Sequence, residues 1–324
     1  MKTLRFATLL SAICILAATS IGFADTYPSR PIRWIVPFSP GGGTDLLARA
    51  IGQKLHEAWG QPVVVDSRPG GTGAVGSLIV KNATPDGYTL LMVTSSTHAI
   101  SPHLYREPPY NPVKDFDAIT IVATAPEMMV AHPSAKVNSV KELLALAKSH
   151  PGTLNYASPG TGSIGHMTME LFKKVTGVNI VHVPYKGSGA ALRETLGGQV
   201  HLMFSAPGSV IGYVRAGKLK ALAVASSKRT PGLDDIPTFS EAGYREIVAA
   251  NWYAVLTTAG TPRTVINQLS REIARIVRLP EIKEMFFKQG YQTMSATPEE
   301  AAQHIKEEFA KWGLVVKASG MRIE

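Results

Sequence analysis

Three glycine-rich turns hold the residues best placed to do chemistry in this sequence. The first is Pro37-Phe38-Ser39-Pro40-Gly41-Gly42-Gly43-Thr44-Asp45, and the second runs from Arg68-Pro69-Gly70-Gly71 to Gly76. The third is Ser158-Pro159-Gly160-Thr161-Gly162-Ser163-Ile164-Gly165-His166. Each follows a short apolar run and precedes an amphipathic one. Glycine lets the backbone approach a ligand closely, and a helix that starts there presents unpaired N–H groups and a partial positive charge. The combination binds an anion without any charged side chain. In open α/β sheets such turns fall at the carboxyl ends of strands, where ligands bind. A tight connection with no ligand uses the same residues, but three of them in one chain favour a binding site. Thr94-Ser95-Ser96-Thr97, at the end of another apolar run, offers hydroxyls to a carboxylate or simply caps a loop.

Other chemistries find less support. Gly71-x-Gly73-x-x-Gly76 and Gly160-x-Gly162-x-x-Gly165 match a dinucleotide fingerprint, but neither has the acidic residue that should hold a ribose about twenty positions on. Gly212-x-x-x-x-Gly217-Lys218 begins like a P-loop, yet Leu219 stands where a magnesium-binding hydroxyl belongs. No G-x-S-x-G elbow and no S-x-x-K occur. The histidines show no metal-ligand spacing. His98 and His166 follow turns and are expected near a ligand, whereas His132, His182 and His201 read as hydrogen-bonded core residues. No cofactor and no metal are expected. An exported enzyme using the same cleft is the weaker alternative, because no nucleophile–base pair stands out.

Short apolar runs alternating with helical ones must position these turns. Ile32–Val36, Val63–Asp66, Thr89–Thr94 and Ile119–Thr124 read as strands, with helices over Thr44–Trp59 and Ala74–Lys81. A second set starts with a strand at Met128–Ala131 and a helix opened by a capping box at Ser139–Glu142. Strands follow at Leu154–Ala157, Ile180–Val183, Leu202–Ser205 and Leu219–Ala225, with helices starting near Gly165, Ser188 and Pro207 between them. Trp252–Thr257 is a last strand. Beyond it the pattern is helical to the end, with Thr297-Pro298-Glu299-Glu300 as a cap, and these helices, with no sheet of their own, are expected to pack on the first domain. The proline-bearing segment from Thr97 to Phe116 reads as surface wrapping. The alternation argues for an α/β fold with a largely parallel sheet.

Residues 1–24 read as a signal peptide: Lys2 and Arg5, then an apolar run, then Gly22-Phe23-Ala24 as a cleavage site after Ala24. The only cysteine, Cys14, lies inside that segment, so the mature chain has no disulfide and no thiolate chemistry. The formal charge of +9 becomes +7 without Lys2 and Arg5. A basic exported protein favours anionic partners. Scattered Lys and Arg with no aromatic interleaving argue against nucleic acid.

The stretch Tyr27-Pro28-Ser29-Arg30-Pro31-Ile32-Arg33, with Val36-Pro37-Phe38 and the first glycine turn, resembles the start of the Bug family. These are the periplasmic solute receptors of tripartite tricarboxylate transporters. The resemblance continues through Pro85-Asp86-Gly87-Tyr88, Leu154-Asn155-Tyr156-Ala157-Ser158, His182-Val183-Pro184-Tyr185-Lys186-Gly187 and Asp235-Ile236-Pro237-Thr238, and so covers essentially the whole mature chain. It implies a two-domain periplasmic binding protein fold, type II-like, with the ligand cleft between domains. It also implies a small carboxylate held by one loop from each domain, and membrane transporter subunits as partners. Transport and ligand sensing for a signalling partner both stay open, and a monomer is expected.

On this reading the ligand residues are Phe38, Gly41, Gly42, Gly43, Thr44 and Asp45 from one loop, and Ser158, Thr161, Gly162, Ser163 and His166 from the other. Ser95, Tyr185 and Ser205 complete the set. Domain 1 is expected over 27–125 plus 251–324 and domain 2 over 126–250, with a hinge near the strands at Ile119 and Trp252. Two departures stand out. Asp66-Ser67 replace a common Glu-Asn before the second turn. Ser205-Ala206-Pro207 follow the strand at Leu202, where the family commonly has Asp. The missing acid predicts a ligand without an ammonium group.

Overall fold

The computed structural model describes residues 27–319; the signal-peptide segment, Cys14 and the cleavage position lie outside the described residues. Along the chain, β1 (Ile32–Val36), α1 (Gly43–Trp59), β2 (Val63–Ser67), α2 (Ala74–Lys81) and β3 (Thr89–Thr94) form a first run of strand–helix units. β4 (Phe116–Pro126) leads directly into β5 (Met128–Ala131). Then come α3 (Val140–Ser149), β6 (Asn155–Ser158), α4 (Ile164–Thr176), β7 (Val181–Pro184), α5 (Ser188–Leu196), β8 (Leu202–Ser205), α6 (Pro207–Arg215) and β9 (Lys220–Val224). The chain returns through β10 (Ala250–Thr258) and ends in α7 (Arg263–Val277), α8 (Pro280–Lys288), β11 (Gln292–Thr293) and α9 (Pro298–Ser319). No helix among the described residues is long and apolar enough to cross a membrane.

The strands make two sheets, one per lobe. The first has the order β11-β4-β10-β3-β1-β2 and the second β7-β6-β8-β5-β9. Each is mixed rather than largely parallel. β2, β1 and β3 are parallel, as are β7, β6 and β8, because helices cross over between them. β10 runs antiparallel to β3 and β4, and β5 antiparallel to β8 and β9. These are the strands next to the crossings, where no crossover helix turns the chain round. At the crossings Glu127 N–H donates to Ala249 O, Ala225 N–H to Glu127 O and Ala249 N–H to Ala225 O, at 2.9, 2.7 and 3.0 Å. Three passes of the chain are thus bonded to one another where the lobes meet.

Apolar faces explain the packing. α1 lays Leu47, Ala48, Ile51 and Leu55 on the first sheet, where Trp34 of β1 is fully buried. α3 buries Val140, Leu143, Leu144 and Ala147. Its expected capping box forms by half. Ser139 Oγ accepts from Glu142 N–H, but the Glu142 carboxylate turns to the Asn138 amide at 2.8 Å.

Two further expectations are corrected. The C-terminal part is not helical throughout: a two-residue strand, β11, joins β4 at the edge of the first sheet. The segment after Thr97 wraps the surface only in its second half, where Arg106, Glu107, Pro108, Asn111, Val113 and Lys114 are exposed; before that it coils as a π-turn over Ser96–Ile100 and a 3₁₀ turn over Ser101–Leu104. Ala99, Ile100, Leu104 and Tyr110 are buried in the core. Pro102 sits in the first turn of the 3₁₀ piece, where its missing N–H is harmless. α9 covers this segment, with His103 stacked on Phe309 at 4.0 Å and hydrogen bonded to its carbonyl.

α9 is held at its start by a complete capping box: Thr297 N–H donates to Glu300 Oε2 and Glu300 N–H to Thr297 Oγ1. Thr297→Ala removes one half of it. The expected loss is about 1 kcal/mol of stability, read as a lower urea midpoint with unchanged slope. An unchanged midpoint would show that α9 is fixed by packing alone.

Candidate functional site

Four helices aim their N-termini at one small cavity between the lobes. Gly43 and Thr44 begin α1 in the first lobe, while Ile164 and Gly165 begin α4, Ser188 begins α5, and Ser209 lies in the first turn of α6 in the second. α1, α5 and α6 have no side-chain cap; their cap positions are Gly42, Gly187 and Ala206. A helix whose first N–H groups lack a capping side chain needs another acceptor there. Four partial positive charges converge on a volume of about 30 Å³. Three buried hydroxyls on its wall, Thr94 Oγ1, Ser205 Oγ and Ser209 Oγ, have no hydrogen-bond partner among the described residues. Buried polar groups are normally paired, so these mark a place for a polar ligand.

Two glycines are required by close approach. A Cβ on Gly43 would run into the Tyr291 hydroxyl and come to 3.0 Å from that of Tyr253. A Cβ on Gly165 would stand 2.9 Å from the carbonyl oxygen of Phe204, so only glycine lets α4 start against β8.

The lobes are latched around this cavity. Ser39 Oγ and N–H both donate to Lys186 O, at 2.6 and 3.3 Å. Thr72 Oγ1 donates to Thr161 O at 2.8 Å, and Ile164 N–H to Ser96 Oγ at 2.9 Å. A second space of about 210 Å³ adjoins the first, shares Phe38 and Pro159 with it, and is lined also by Thr72, Tyr185 and Lys186. Larger open grooves lie on outer faces, along α3 and between α7 and α9, and neither gathers helix N-termini.

The expected ligand residues fall into three groups. Phe38, Gly43, Thr44 and Ser205 line the inner cavity. Thr161 and Tyr185 line the outer space. The others shape the loops. Gly42 abuts Ser188, and Gly41 N–H donates to Asp45 Oδ2 at 3.1 Å, while Asp45 Oδ1 takes Arg49 Nε at 2.9 Å. Asp45 is thus turned back on its own loop. Ser95 lies behind the wall and donates to Asn251 Oδ1 at 2.5 Å, fixing an amide that does line the cavity. Ser163 caps α4 by accepting from His166 N–H.

His98 is a core residue, contrary to expectation. It is fully buried, bonded to Thr97 Oγ1 and packed edge-on against Phe116, and burial pulls it down to about 3. His166 and His182 stack at 4.0 Å beside the third glycine turn, with His182 also against Tyr156. His166 Nδ1 accepts from Gly162 N–H at 3.0 Å, and His182 Nε2 pairs with Ser158 Oγ at 2.6 Å.

Several cavity residues escaped the sequence reading. Ser188 and Ser209 sit at strand-to-helix turns without a glycine cluster, and the helix starts alone could have flagged them. Asn251 and Tyr253 sit at the start of β10 and carry no sequence signal. Glu127 carries none either: an acid absent after β8 stands beside that strand instead, since Met128 pairs with Ser205. Among the described residues no group of three or more His, Asp or Glu is placed to hold a metal.

Burial lowers both stacked histidines to about 4. Each therefore binds its proton more weakly folded than unfolded, where histidine titrates near about 6.5. Their contribution to stability is complete above about pH 6.5 and is lost as pH falls towards about 4. His166→Asn keeps an acceptor for Gly162 N–H without a titrating ring. It should flatten part of the stability slope across that window in a series of urea midpoints. An identical slope would mean that His166 does not titrate as its burial dictates.

The tripartite tricarboxylate transporter family receptor profile matches residues 47–321. Protein BugT of Bordetella pertussis is 38% identical over 302 residues, covering 93% of each chain. A Rhodopseudomonas palustris protein solved with adipate superposes with a TM-score of 0.88 at 34% identity, covering 91% of this chain and 99% of that one. MatC of the same organism, solved with malate, gives 0.84 at 29% identity, covering 90% and 100%. The chain belongs to the tripartite tricarboxylate transporter receptor family, the family of the Bug proteins.

Proposed function

We propose that this protein is an exported receptor that captures a small carboxylate between its lobes and presents it to membrane subunits of a tripartite transporter. The observation that carries the reading is the convergence of four helix N-termini, three without capping side chains, on one cavity walled by unpaired hydroxyls. A carboxylate oxygen accepts from such N–H groups and hydroxyls together. The similar proteins solved with adipate and malate are in keeping with this. The inner cavity takes the carboxylate head, and the adjoining space takes the rest of the molecule past Phe38 and Pro159. Residues 27–125 with 251–324 form one domain and 126–250 the other, closing about the crossing at Glu127, Ala225 and Ala249. Export removes residues 1–24, and the receptor acts as a monomer. Closure over the ligand is the form that the membrane subunits read.

The test is thermal unfolding of the mature chain with malate, adipate and their diamides. A ligand at a hundredfold excess over its Kd adds about 2.7 kcal/mol, which raises Tm by several degrees. The acid should raise Tm and the diamide should not. Gly165→Ala, which forces α4 off β8, should weaken binding about tenfold, because the α4 N–H groups then meet the ligand with longer and less well aligned hydrogen bonds. A shift by neutral solutes or nucleotides and by no acid would overturn the reading.

A further inference from the structure

The inner cavity has one acid on its wall. Glu127 is the residue at which the chain crosses from the first sheet to the second, and it is 2% exposed. Its backbone is fixed on both sides by Ala249 and Ala225. One carboxyl oxygen stands 3.7 Å from the place a Cβ on Gly165 would take, against the first turn of α4. Among the described residues the carboxyl has no hydrogen-bond or ion-pair partner, although its side chain lines the inner cavity.

Its surroundings hold no countercharge. β10 brings the Asn251 amide and the Tyr253 phenol, and the turn after α8 brings the Tyr291 phenol. β8 brings Ser205, β9 only backbone, α1 Thr44 and β3 Thr94. α4 brings Ile164 and Gly165, while His166 is turned onto His182. No Lys or Arg lines the cavity. An ionised Glu127 would repel an anion in the same small space. A protonated one adds a donor to a wall already made of N–H and O–H donors. Such a wall suits ligand oxygens and offers little to an ammonium group.

We propose that Glu127 is a specificity residue of this site, which in its protonated form donates a hydrogen bond to an oxygen of the bound carboxylate. The inference rests on the carboxylate reading of the cleft. Burial without a partner pushes Glu127 up to about 8, so the proton is in place through neutral pH. The ligand is thus a di- or hydroxy-carboxylate without an ammonium group, and its binding is coupled to one proton.

Two measurements test this. The first needs no ligand. The folded chain holds the Glu127 proton where the unfolded chain has lost it, so this group's contribution to stability falls as pH rises towards about 8 and then levels. Between about pH 6.5 and about pH 8.5 the other groups titrate alike in wild type and variant and cancel in their difference, and Glu127→Gln should remove that fall. A stability difference between wild type and Glu127→Gln that is flat with pH overturns the proposal. The second is calorimetric binding of malate, adipate and aspartate from about pH 6.5 to about pH 9.5. Wild-type affinity for the bound diacid should fall by about tenfold per pH unit above the Glu127 titration. Glu127→Gln, whose amide still donates, should bind within a few-fold of wild type at the low end and show no such fall. Loss of diacid binding in Glu127→Gln would overturn the proposal, and so would aspartate binding more tightly than malate and only with Glu127 intact. If neither diacid binds wild type at any pH, the carboxylate reading fails and the ligand half of the proposal with it. The ligand-free series still decides whether the proton is held.

Discussion

The structure depends on one unmet requirement, the first-turn N–H groups of helices that carry no capping side chain. α1, α5 and α6 begin at Gly42, Gly187 and Ala206, none of which offers a side-chain acceptor. Ser139 and Thr297 cap α3 and α9, whereas α2, α7 and α8 also begin without a side-chain acceptor but away from this cavity. What distinguishes α1, α5 and α6 is that their uncapped starts lie together, on both lobes, around one cavity. Each is there because it follows a parallel strand, and parallel strands with crossover helices put all helix starts at the same edge of a sheet. Mixed sheets follow from the same need, since the three chain passes between the lobes must lie next to one another.

Closure and recognition are therefore one arrangement. Ser39, Thr72 and Ser96 of the first lobe bond to Lys186, Thr161 and Ile164 of the second, all in or beside the loops that supply N–H groups. A ligand seated against α1 and α4 touches both lobes, so its binding energy goes into holding them together. The residue at the crossing itself faces the cavity. Glu127 joins the crossing strands through its backbone and lines the cavity through its side chain.

Much of this was legible in the residues. The glycine turns announced helix starts at strand ends, because glycine and hydroxyl residues between an apolar run and an amphipathic one have few other uses. Phe38, Gly43, Thr44 and Ser205 then fall on the inner wall. What escaped was set by tertiary pairing. Asp45 belongs to the first turn in sequence, yet Arg49 one helical turn later draws it away from the cavity. His98 follows the hydroxyl cluster, yet the coil over Ser96–Ile100 rotates it into the core against Phe116. Glu127 stands between two apolar strands, where a lone acid looks like a loop residue. Only the pairing of β5 with β8 and β9 shows that it is enclosed.

The division between the two spaces explains how such a fold serves many acids. On the proposed reading the inner cavity meets a carboxylate through backbone N–H groups, which are the same whatever side chains the chain carries, and Glu127 is the one side chain there that would sort acids by their other groups. The outer space is built of side chains, Thr72, Tyr185 and the exposed Lys186 among them, so substitution there changes the ligand without touching the helix starts. Among the described residues Lys186 is the one cationic residue lining either space, and it lines the outer one while Glu127 lines the inner. A diacid spanning both would place its second carboxylate near that ammonium. A monoacid would leave the cation in water at no loss, since it is exposed. The sequence between Tyr185 and Ser188 thus does two things at once: it latches the lobes through the Lys186 carbonyl and sets the length of acid that the latch can close over.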